Sequence, residues 1–192
     1  MSRSVSVKPT LKEYTTIILA GLTERWYFSH LQSFYNLKIK IRPRFLINFE
    51  NLRNSIKQTI HDEGKAIIIY NRSILSDCKI NIEQFAKFKQ KYEKNNKVMF
   101  CEVSPSIEWW FVLHYIEGDQ VFETSEAVKD ELKKHIKDFE ISDSFLMNPK
   151  WVEELCSDNK LIAAYNRAKK YNKTSENQMS IWKVMEEIGL FS

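Results

Sequence analysis

Apolar residues recur along this chain in two rhythms that alternate. Tyr14–Ala20 (YTTIILA) is an unbroken, β-branched run that stops at Gly21. Such a run predicts a strand buried on both faces, as in a parallel sheet. Glu24–Tyr35 then takes helical spacing, with Trp26, Tyr27, Leu31 and Phe34 on its apolar side. Thr23 offers a hydroxyl at the start of this helix, and Glu24 an acid in its first turn. Leu37–Leu46 (LKIKIRPRFL) alternates apolar with basic positions and includes Pro43, the pattern of an edge strand with one wet face. Glu50–Glu63 spaces Leu52, Ile56 and Ile60 by four and predicts a helix that ends at Gly64. Ala66–Tyr70 (AIIIY) reads as a second buried strand, and Ile82–Asn95 as a helix with Ile82, Phe85, Phe88 and Tyr92 on one side. Lys97–Val103 (KVMFCEV) reads as another strand. Ile107–Tyr115 reads as an apolar helix, with Pro105 in its first turn.

Strands that alternate with helices imply an α/β fold with a mostly parallel sheet flanked by helices. After Gly118 only helical patterns remain: Ser125–Lys137, Pro149–Leu155, Asn159–Tyr171 and Gln178–Ile188. The expected organisation is an α/β core over 1–118 and a C-terminal helical extension over 119–192, packed on that core. Open parallel sheets concentrate function beyond the carboxyl ends of their strands. Three such ends should share one rim: Ala20-Gly21, Tyr70-Asn71-Arg72-Ser73 and Val103-Ser104-Pro105.

Composition narrows the class. The chain has 192 residues, 43% of them hydrophobic, with 12 Phe, 8 Tyr and 5 Trp. That supports a real core and excludes a disordered chain. A net charge of +4 permits contact with nucleic acid without demanding it. Cys78, Cys101 and Cys156 are odd in number and widely spaced, which argues against a disulfide framework or a zinc site. Met1–Thr10 has no apolar signal-peptide core, and no apolar run approaches a membrane span. The expectation is a cytoplasmic protein with reduced thiols and no membrane contact.

Two stretches at the strand ends carry a family resemblance. Ile18–Leu31 (ILAGLTERWYFSHL) resembles the opening motif of the RloB-like family, in which an acid-Gly step is followed by Thr-Glu and then Tyr-Phe. Gly21, Thr23, Glu24, Tyr27 and Phe28 match it. Ser104–Tyr115 (SPSIEWWFVLHY) resembles that family's Asn-Pro-x-x-Glu-x-Trp-x-x-x-His stretch, with Pro105, Glu108, Trp110 and His114 matching and Ser104 in place of Asn. Ile162–Lys169, Thr174 and Met179–Ile188 resemble the family's ending more weakly, so the likeness spans most of the chain. The resemblance implies a Toprim-like Rossmannoid fold, a setting in abortive infection and phage defence, and an ATPase or other defence-system protein as partner. It also implies Toprim chemistry, in which clustered carboxylates hold Mg²⁺ or Mn²⁺ to neutralise a phosphodiester and activate water.

This chain departs from that motif at its acids. Ala20 stands where the acid before Gly21 belongs, and the expected Asp-Arg-Asp reads Asn71-Arg72-Ser73. Alanine cannot ligate a metal, and neutral oxygen donors alone compensate poorly for dehydrating Mg²⁺. The sequence therefore leans away from an enzyme. The first reading is a degenerate nuclease domain that serves as a binding or assembly subunit. It would work at a basic rim, without a cofactor, on RNA, DNA, a partner protein or a second copy of itself. The second is an active, divergent nuclease in which Glu24 and Glu108 act as catalytic acids and bind Mg²⁺ or Mn²⁺ together with Asp77. The third is a protein–protein interaction module without a nucleic-acid role, resting on Trp26, Trp109, Trp151 and Trp182.

Each candidate also has an ordinary structural role. Glu24 stabilises a helix N-terminus, and Glu108 is placed for a capping box with Ser104. His114 suits a hydrogen-bonded position in an apolar helix. Lys38, Lys40, Arg42 and Arg44 occupy every second position, either as an aggregation-blocking edge or as a phosphate-tracking stripe. Arg72, unbalanced by neighbouring acids, could bind phosphate without cleaving it, and His114 joins these cations as a candidate phosphate or nucleic-acid contact.

Overall fold

The computed structural model describes residues 14–19, 21–42, 49–71, 75, 81–171 and 179–191. Strands β1 (Thr15–Leu19), β2 (Ile39–Arg42), β3 (Lys65–Tyr70) and β4 (Val98–Glu102) alternate with helices α1 (Leu22–Tyr35), α2 (Phe49–His61) and α3 (Ile82–Gln90). The chain continues through α4 (Glu108–Val112), α5 (Ser125–Lys133), α6 (Asp143–Leu146), α7 (Lys150–Cys156), α8 (Lys160–Tyr171) and α9 (Ile181–Glu187).

The four strands form one sheet in the order β2-β1-β3-β4, and every pair is parallel. Ile17 lies in register with Ile41 and Ile67, and Ile69 with Leu19 and Cys101. The carboxyl ends are therefore level along one rim. From β1 the chain moves outward to β2, then returns past β1 to β3 and moves outward again to β4. The winding direction reverses between β1 and β3, which makes their carboxyl ends the switch point of the sheet.

Period-two alternation sends β1 and β3 side chains to both faces, and both faces are covered. On one side Ile17, Leu19, Ile67 and Ile69 join Tyr27, Phe28 and Leu31 of α1 in a core that also holds Trp109 to Leu113. On the other, Ile18, Ile68 and Tyr70 pack with Leu52 and Ile56 of α2 and with Phe85 and Phe88 of α3. The result is an α/β/α sandwich, consistent with the expected Rossmannoid class. The helices after Gly118 contribute Val128, Trp151, Val152, Leu155, Ala164 and Val184 to the first core, so residues on both sides of Gly118 share it. Val103 also pairs with Met179 as an isolated antiparallel bridge. Among the described residues, no helix is long and apolar enough to cross a membrane.

Several boundaries differ from expectation for local reasons. Helix α1 starts on Gly21 as N-cap, with no side-chain cap bond, and Thr23 is buried inside the helix. The predicted helix 82–95 ends at Gln90 in turns. Pro105 lies ahead of α4 across a cis Ser104–Pro105 bond, not inside its first turn. Helix α6 has only four residues, too few for a hydrophobic period, and its signal is the Ser142 cap on the Phe145 amide at 3.2 Å. The outer half of the expected strand Leu37–Leu46 falls outside the described residues.

Candidate functional site

At the switch point the chain forms a cleft of about 460 Å³. Gly21, Leu22, Thr23 and Glu24 enter it from the start of α1, Asn71 from the end of β3, and Ser106, Ile107 and Glu108 from the approach to α4. Ser125, Glu126 and Lys129 of α5, with Ile141, close the remaining side. Of the strand ends named from the sequence, Gly21 and Asn71 line the cleft themselves, and the third end reaches it through Ser106, just past Pro105.

Glu24 is the third residue of α1, and its carboxylate folds back toward the helix start. A Cβ at position 21 would overlap that carboxylate. Gly21 has φ −117, open to any residue, so glycine is needed for space and not for conformation. Glu24 is 3% exposed and Glu108, the first residue of α4, is 3% exposed. Burial, reinforced by the charge of Glu108 and partly offset by a backbone N–H bond, pushes the Glu24 carboxyl up to about 7. Near neutral pH it is therefore protonated about half the time. The capping box between Glu108 and Ser104 is not formed. The N-cap of α4 is Ile107, without a side-chain cap bond. Asn71 is 6% exposed and Ser106 5% exposed; the Ser106 hydroxyl is buried and finds no hydrogen-bond partner among the described residues. Lys129 brings a cation to the lip, 3.8 Å from Glu126.

Chemically, the cleft offers two buried carboxylates, Glu24 and Glu108, the Asn71 amide and the hydroxyls of Thr23, Ser106 and Ser125, with a third carboxylate, Glu126, beside Lys129 at the lip. These are hard oxygen donors of the kind Mg²⁺ or Mn²⁺ accepts, but only two of the buried ones are anionic. Among the described residues, no group of three or more His, Cys, Asp or Glu could hold a metal. The feature that stands out chemically is Glu24, a buried carboxyl held near neutral pH beside a second buried glutamate.

The remaining sequence candidates scatter. His114 is 3% exposed and does not line the cleft. Its Nδ1 lies 2.9 Å from the Trp110 carbonyl and must donate there, so Nε2 is the acceptor, buried without a partner among the described residues. Burial lowers its pKa to about 3, so the ring is neutral. Trp110 donates through Nε1 to the Tyr27 hydroxyl at 2.8 Å. Lys38 and Lys40 are exposed on and beside the edge strand β2 and Arg42 is half-buried. Lys40 sits over the Tyr14 ring at 3.3 Å from its centroid. Ala20, Arg44, Arg72, Ser73, Asp77 and Thr174 lie outside the described residues. Of the tryptophans, Trp109 and Trp151 are buried, whereas Trp26 and Trp182 are part-exposed. Sequence reasoning missed Ser106 and Lys129. Ser106 had a weak local signal, its place between Pro105 and Glu108. Lys129 had none, because it enters the cleft only through the packing of α5 on α4.

A protein-family model described as RloB, RloB-like protein, matches residues 16–188. No curated protein and no solved structure matches the chain.

Proposed function

Because the chain belongs to the RloB-like protein family, we propose that it is a Toprim-related, anti-phage defence-type protein of the cytoplasm whose nuclease-type cleft binds rather than cleaves. One observation carries this reading. The switch-point cleft keeps two buried glutamates but presents neutral Asn71 where the resemblance implies an aspartate. Ala20 and Ser73 remove two further acids from the same motif. Metal-assisted phosphodiester hydrolysis needs enough anionic ligands to hold the cation and lower the pKa of its water. With two buried glutamates, and the third, Glu126, paired with Lys129, the cleft retains the shape of such a site and little of its charge. Lys129 at the lip supplies a cation for a phosphate group or an acidic partner surface, and the sequence adds Lys38, Lys40, Arg42, Arg44 and Arg72 as further candidate contacts away from the cleft lining. The partner this reading favours is a protein of the same defence system, such as an ATPase, or nucleic acid held without cutting.

A second reading, a divergent metal-dependent nuclease, has one observation in its favour. Glu24 and Glu108 lie close enough for one charge to raise the pKa of the other, and a divalent cation between them would relieve that repulsion. Calorimetric titration of the protein with Mn²⁺, repeated on Glu24→Gln and Glu108→Gln, separates the two. The binding reading expects millimolar or weaker uptake and no Mn²⁺-dependent cutting of RNA or DNA. Micromolar binding lost in both variants, with cutting lost alongside it, would overturn it in favour of the nuclease.

A further inference from the structure

A groove of about 530 Å³ runs between α2 and α3, on the layer that covers the sheet face opposite α1 and α4. Arg53 and Lys57 stand one turn apart on the α2 wall, and Lys87 and Lys91 one turn apart along α3 and its C-cap. All four are exposed. Like charges at this spacing repel one another, and here two such pairs line a single groove. Among the described residues, none of the four has an ion-pair partner. Elsewhere Lys129, Lys134, Lys160 and Lys169 each sit against a carboxylate. Lys87 and Lys91 also suit the negative end of α3, but mid-helix Arg53 and Lys57 have no such reason to be there. Between the cations lies an aromatic floor. Phe88 meets Phe49 at 4.8 Å and Tyr92 at 5.1 Å, both edge to face, and Phe49 and Tyr92 are part-exposed.

We propose that this groove binds a single strand of nucleic acid. The cations neutralise phosphates, and the aromatic floor takes unpaired bases, the combination that single-strand sites use. A duplex keeps its bases stacked inside and makes no use of the floor. An acidic peptide satisfies the cations and leaves the aromatics idle. The site is separate from the cleft, so it stands or falls independently of the reading given for Glu24 and Glu108.

The test is fluorescence anisotropy of the full chain with short labelled oligouridylate, oligothymidylate and a duplex of equal length, over a range of salt. Neutralising four single-strand phosphates gives a log–log salt slope of about −2.8. Arg53→Ala with Lys87→Ala should halve that slope and weaken binding at least about tenfold. Tyr92→Ala should weaken binding while leaving the slope unchanged, which a purely electrostatic site would not do. Unchanged binding in the Arg53/Lys87 variant, a duplex bound as tightly as the single strand, or displacement of the oligonucleotide by polyglutamate at equal charge would each overturn the proposal. The two single-stranded probes distinguish RNA from DNA as the preferred strand.

Discussion

Glu24 is the residue whose removal should stabilise the protein, and the size of the effect can be worked from its environment. Its carboxyl rises from 4.5 to about 7, first by desolvation and then by repulsion from Glu108. Above pH 7 the folded state must ionise it in a buried site while the unfolded chain ionises it freely in water. Between these two values the native state holds more protons than the unfolded one, so stability falls as pH rises through the window. A shift of this size costs about 1 kcal/mol at pH 5 and about 3 kcal/mol at pH 8. Glu24→Gln keeps the shape and the acceptor oxygen and abolishes the ionisation. The variant should be more stable than the parent at pH 8, and its advantage should exceed that at pH 5 by about 2 kcal/mol. Urea unfolding of both proteins at the two pH values, in chelator, measures it, because titrations elsewhere cancel in the difference. An advantage that is equal at both values, or larger at pH 5, would refute the placement of Glu24 as a buried carboxyl facing Glu108.

Other substitutions test the same geometry. Tyr27→Phe removes the acceptor of the Trp110 indole N–H and should lower stability by about 1–3 kcal/mol in the same urea assay. Gly21→Ala drives a Cβ into the Glu24 carboxylate and should lower stability by about 1–3 kcal/mol, most of which Glu24→Ala in the same chain should restore; simple additivity in a double-mutant cycle would contradict the contact. His114, with its pKa lowered from 6.5 to about 3, lets the unfolded chain take up a proton that the folded one refuses. Its contribution is therefore present above pH 6.5 and lost as pH falls. His114→Phe should lose about 2 kcal/mol less than the parent between pH 7.5 and pH 5, read from the unfolding midpoints.

How much of this was legible in the sequence depends on whether the signal is local. The runs YTTIILA and AIIIY announce β1 and β3 because a strand covered on both faces needs apolar residues at every position. The order of strands and helices then places their carboxyl ends on one rim, and Glu24, Asn71 and Glu108 follow. Thr23 misled as an N-cap because Gly21 already takes that place, two residues earlier, leaving the Thr23 hydroxyl inside the helix. Ser106 had only a weak local signal, and Lys129 was out of reach for another reason. Its membership of the cleft depends on how α5 packs against α4, a contact with no periodicity of its own.

The Glu-Trp-His motif shows how a linear pattern changes meaning on a helix. Side chains two apart on a helix point roughly 200° away from each other, so Glu108 and Trp110 cannot serve one site. Glu108 lines the cleft, whereas Trp110 turns inward, bonds Tyr27 of α1 and meets His114 edge to face at 5.1 Å. Tyr27 lies three residues beyond Glu24, on the same side of α1. The Trp110–Tyr27 bond therefore ties together the two helices whose first turns hold the two glutamates. Trp110 and Tyr27 act by position, fixing how closely Glu24 and Glu108 approach. That scaffold does not depend on any acid at positions 20, 71 or 73. On the reading proposed above, a chain with Ala20, Asn71 and Ser73 at the motif's acid positions keeps its cleft and its paired glutamates and lacks the charge to hold a metal tightly.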